Sequence, residues 1–77
     1  MIQLKNIHKT ADRIFCDAFV EDCKTPVSLE LNSDTEEFRE VRLPDGYEWC
    51  KAHIRQAKWY LLSAKNDLPH ERLIMWC

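Results

Sequence analysis

Seventy-seven residues with 45% apolar side chains and a formal charge of −2 describe one small globular domain spanning residues 1–77, not a disordered chain or a multidomain enzyme. The charge is uneven. Residues 1–45 carry six Lys/Arg against ten Asp/Glu, and residues 46–77 carry five against three, so the two halves present different faces to water. An acidic total gives no bulk attraction to nucleic acid or anionic lipid.

The opening stretch MIQLKNIHK lacks the apolar segment of a secretion leader, and no apolar run approaches the ~18 residues of a membrane helix. The expectation is a cytoplasmic protein whose four cysteines are free thiols. A single glycine, Gly46, excludes Gly-rich phosphate loops and dinucleotide fingerprints.

The first half reads as strands. Ile2 and Leu4 alternate in IQLKNIH, although Asn6 and Ile7 spoil the pattern. After the turn TADR, the stretch IFCDAFVE alternates cleanly. Ile14, Cys16, Ala18 and Val20 share one face, and Phe15, Asp17, Phe19 and Glu21 share the other. VSLELN sets Val27, Leu29 and Leu31 opposite Ser28 and Glu30. EFREVRL gives a weaker strand with Arg39, Val41 and Leu43 on one side.

The period then changes. Asp45 is a candidate N-cap, with Glu48 three residues on to close a capping box. Over residues 46–66, Cys50, Ile54, Ala57, Leu61 and Ala64 form one apolar helical stripe. Lys65 falls in the expected last turn, Asn66 is a candidate left-handed cap, and Pro69 stops the helix. RLIMW, residues 72–76, is apolar and short enough for a returning strand. The predicted architecture is β-β-β-β-α-β, an α+β two-layer fold. An antiparallel meander of about four strands is covered on one face by a single long C-terminal helix, with a short final strand.

Cys50 and His53, three apart, invite a chemical reading. Helical geometry puts Cys50 inside the apolar stripe and His53 at its margin. A buried thiol and a boundary histidine bonded through one ring nitrogen account for both. A structural zinc site would draw Cys50, His53, His70 and Cys77 together, but no C-x-x-C or H-x-x-x-H spacing supports it. A catalytic thiolate needs an exposed cleft and an orienting third group, and neither is evident. The reading is therefore non-enzymatic, without cofactor or metal. Cys16 sits in the β-face pattern with the same core expectation, while Cys23 in a turn and terminal Cys77 are the candidate reactive thiols.

Two surfaces ask for a partner. On the helix, Trp59 and Leu62 fall away from the core stripe, with Arg55 between them, unless the C-terminal segment with Leu73 and Trp76 folds over them. On the sheet, Phe15 and Phe19 make their strand apolar on both sides, as a doubly covered strand would be. Aromatics and Arg are the usual stuff of interface hot spots. The expected function is a small interaction module that docks on another protein or forms a homodimer. The alternative is nucleic-acid binding by the band Lys51, Arg55, Lys58 and Lys65, with Trp59 stacking on a base.

Overall fold

The computed structural model describes residues 1–75. Its element order is β1 (Ile2–Thr10), β2 (Arg13–Val20), β3 (Val27–Asn32), β4 (Glu37–Phe38), α1 (Lys51–Ser63) and β5 (Arg72–Ile74). The strands form one antiparallel sheet in the order β4-β3-β2-β1-β5, with the helix following the first four strands, as the change of hydrophobic period predicts.

Alternation decides which face is covered. Ile14 pairs with Leu31, Cys16 with Leu29 and Ala18 with Val27 across β2 and β3, while Ile2 pairs with Val20 and Leu4 with Ala18 across β1 and β2. All of these side chains are buried together with Cys50, Ile54, Ala57 and Leu61 of the helical layer. The helix therefore covers the small-residue face of β2 and leaves Phe15 and Phe19 on the other. Ala18 on the sheet and Ala57 on the helix are both fully buried in this layer.

The irregular pattern at Asn6 and Ile7 is a β-bulge. The register jumps from Lys5 opposite Asp17 to His8 opposite Phe15, so Asn6 and Ile7 together oppose Cys16. Asn6 takes the left-handed conformation (φ 56°), which asparagine tolerates, and its Nδ2 donates to Asp17 Oδ2 at 2.9 Å. The extra residue turns Ile7 into the core, and its N–H donates to the His70 carbonyl at 2.8 Å.

Three expected local features differ. The fourth strand is only Glu37–Phe38. The chain leaves the sheet after Phe38, and Val41 and Leu43 pack on the core edge without pairing, while Arg39 stays exposed. The preceding loop is closed by Asn32, whose Oδ1 accepts from the N–H groups of Asp34 and Thr35. The helix starts five residues later than its sequence signals suggest. Gly46 adopts φ +86° in a turn closed by Tyr47 N–H to the Pro44 carbonyl at 2.9 Å, the type II geometry that calls for glycine at that place. A second turn runs from Tyr47 to Cys50, so Cys50 is the N-cap, with no side-chain capping bond, and Asp45 and Glu48 form no capping box. At the far end Ala64 is the C-cap, with its N–H on the Tyr60 carbonyl at 2.9 Å. Asn66 does not take a left-handed φ, and Lys65 lies beyond the helix.

β5 follows the expected final strand but is described only through Ile74. Leu73 faces outward beside Gln3, and Ile74 packs inward beside Ile2. Trp76 and Cys77 lie outside the described residues.

Candidate functional site

The outward side of α1 carries the most distinctive surface. At 3.6 residues per turn, Ala52, Arg55, Trp59 and Leu62 lie away from the buried line of Ile54, Ala57 and Leu61. Trp59 is 72% exposed. It stands over an open groove of about 670 Å³ whose walls include Ala52, Arg55, Lys58 and Leu62 from the helix and Glu36 from the β3–β4 loop. The sequence-predicted trio of Trp59, Leu62 and Arg55 is thus brought together at one place. Leu62 departs from expectation in depth. It is half-buried and packs on the core edge, forming a wall of the groove. Leu73 does not cover Trp59, because its register beside Gln3 aims it at the opposite face of the sheet.

Sequence reasoning missed one wall of the groove and a second exposed tryptophan outside it. Glu36 reaches the groove through the β3–β4 loop, where its own backbone is left-handed (φ 61°). Trp49, 63% exposed, precedes the helix and is held by Nε1–H to the Gly46 carbonyl at 2.9 Å.

Of the basic band, Lys51, Arg55 and Lys58 lie on α1 and Lys65 lies beyond its end. Lys51, Arg55 and Lys65 are exposed, and Lys58 is half-buried with Nζ 6.0 Å from the Phe38 ring centroid. Among the described residues none of these four cations forms an ion pair, whereas Arg13, Arg39 and Arg42 all do.

Phe15 and Phe19 occupy the uncovered sheet face, and both are half-buried. The His8 imidazole stacks on Phe15 at 5.1 Å between centroids, and Lys5 Nζ sits 5.7 Å from the Phe19 centroid. Arg13 binds Glu30 at 3.2 Å on the same face. Polar neighbours on adjacent strands thus cover much of each phenyl ring.

The Cys50 and His53 pair lies at the helix start. Cys50 is fully buried, as its place in the stripe predicts, and burial together with the nearby Glu21 carboxylate pushes its thiol up. His53 is deeper than the stripe margin, only 6% exposed. Its Nε2 donates to Glu21 Oε1 at 2.7 Å, and the Trp49 ring meets it edge-on at 5.5 Å. Alternation places Glu21 on the outer sheet face. Instead, the left-handed turn at Glu21 (φ 51°) ends β2 and sends the carboxylate to the helix side. There the bonds from His53 and from the Met1 amine hold the Glu21 carboxyl below its usual range. Close by, Tyr47 donates to Asp22 Oδ1 at 2.7 Å, and that bond, with burial, pushes the phenol up to about 12.

Cys16 is buried on the covered face, and burial, with Asp17 next to it, pushes its thiol up to about 12. Cys23 is half-buried. Among the described residues no three His, Cys, Asp or Glu side chains are grouped to hold a metal ion. The candidate set of Cys50, His53 and His70 is not such a group, and its fourth member, Cys77, lies outside the described residues. No described helix is long and apolar enough to cross a membrane.

Comparison of the chain with protein-family models, with curated proteins and with solved structures finds no match.

Proposed function

We propose that this chain is a small non-enzymatic interaction module that docks on another protein, or on a second copy of itself, through the outward side of α1. The observation that carries the reading is Trp59. A tryptophan 72% exposed on a regular helix, in a groove walled by Arg55 and Leu62, is not part of the core formed by the described residues. Exposed Trp and Arg around an apolar seat are the composition of interface hot spots. Phe15 and Phe19 are weaker candidates for the same role, since their own sheet neighbours already cover much of them.

The absence of catalysis is part of the proposal. Cys50 is inside the core with a raised thiol, so it is a poor source of thiolate, and its helical neighbour His53 is engaged by Glu21. The test is affinity capture with the wild-type chain and a Trp59→Ala variant, with light scattering at high concentration for the self-associating form. Whichever partner the wild type captures, a different protein or a second copy, is expected to be lost on substitution. Partners retained equally by the two proteins would refute the reading.

A second reading, nucleic-acid binding, draws on Lys51, Arg55, Lys58 and Lys65, whose charges are not engaged in ion pairs among the described residues; of these, Arg55 and Lys58 line the groove with Trp59. It predicts salt-dependent binding of short RNA or DNA. No binding at low salt excludes it.

A further inference from the structure

We infer that the groove on α1 receives an acidic segment of another protein chain, anchored by one or two large apolar side chains. The inference rests on the interaction reading above and specifies the partner. Its first support is charge. α1 carries Lys51, Arg55 and Lys58 and no acidic residue, so the rest of the chain holds a formal −5. A cationic helix on an acidic body steers an acidic partner to this side and repels it elsewhere.

The groove is not a uniformly basic channel. Trp59, Leu62 and Ala52 make its apolar surface, Arg55 and Lys58 its cationic side, and Glu36 stands on the loop side. This mixed lining separates the possible occupants. A nucleic-acid strand carries a phosphate at every step and cannot omit one opposite Glu36. A peptide can place carboxylates toward Arg55 and Lys58, an apolar side chain against Trp59, and no acid beside Glu36. A second copy of this chain, docked helix against helix about a two-fold axis, brings the cations of one α1 against those of the other, which is repulsive within the ~8 Å Debye length of physiological salt.

The test is selection of random short peptides, displayed on phage, against the full wild-type chain and against Trp59→Ala in parallel. Affinities of the enriched peptides are then measured by fluorescence anisotropy on an Arg55→Glu/Lys58→Glu double variant. Circular dichroism checks the fold of each variant, and Arg55→Gln/Lys58→Gln replaces the double reversal should it fail to fold. The expected result is enrichment of acidic peptides bearing Trp, Phe or Leu, captured by wild type and lost on Trp59→Ala. Their affinity falls roughly tenfold or more on charge reversal, and peptides with Lys in place of Glu regain it. Trp59-dependent peptides that are neutral or basic would overturn the inference while leaving the interaction reading intact. An absence of Trp59-dependent peptides would overturn both. Single-stranded DNA binding more tightly than the peptides, with the same dependence on Trp59, Arg55 and Lys58, would overturn it in favour of a polyanion.

Discussion

Glu21 Oε1 lies 2.7 Å from Nε2 of the buried His53, which ties the turn after β2 to the first turn of α1. The pair links the sheet to the helix that carries Trp59, and it makes the junction sensitive to acid. The Glu21 carboxyl is held below its ordinary value chiefly by the His53 bond and next by the Met1 amine. A carboxyl whose folded pKa is lowered adds stability above its unfolded pKa and loses it as pH falls through the folded one. Stability should therefore decline on acidification below about pH 4.5, the ordinary carboxylate value. Urea midpoints measured from pH 6 to pH 3 should show a shallower acid decline in Glu21→Gln than in wild type. Parallel curves for the two proteins would mean that the pair contributes nothing to the acid response.

Thiol accessibility gives a second prediction. Cys16 and Cys50 are buried with raised thiols, while Cys23 is half-buried in the turn after β2. Of these three, iodoacetamide at neutral pH should label Cys23 in the folded protein, and Cys16 and Cys50 only in urea. Peptide mapping of the alkylated chain reads this directly. Rapid native labelling of Cys50 would show that the helix start opens readily.

Leu61 tests the core. It is fully buried between helix and sheet, and Leu61→Ala should cost about 2–5 kcal/mol. A chain of this length has on the order of 4–12 kcal/mol in total, so the loss should be a large fraction of the whole and clearly lower the urea midpoint.

The turn before the helix offers a milder case. A Cβ at Gly46 would meet nothing within 4 Å, so Gly46→Ala carries only the left-handed backbone cost of about 1–2 kcal/mol. A larger loss in urea titration would mean that this turn positions more of the helix layer than its own backbone.

How far the fold is legible in the sequence differs from element to element. β2 and β3 alternate strictly because each buries one face against the helix, and period two is all the signal a strand of that kind needs. β1 hides its register because the bulge at Asn6 resets the alternation. The start of α1 is obscured by competing local chemistry. Asp45 and Glu48 have capping-box spacing, but Gly46 between them takes φ +86° and the chain turns twice before the helix begins.

The same division holds at the site. Trp59 and Arg55 are readable from helical angle alone, since neither depends on tertiary contacts. Glu36 and Glu21 are not, because left-handed residues in loops deliver each of them to the helix from distant strands. His53 moves from margin to interior for that reason, with Glu21 supplying the partner that makes its burial tolerable.

The most direct measurement of the central claim is the effect of Trp59→Ala on stability and on binding in the same preparation. With Trp59 72% exposed, urea unfolding should shift by no more than about 0.5 kcal/mol, while peptide or protein binding at the α1 groove is lost. A loss of several kcal/mol in stability, or binding that survives the substitution, would contradict the account.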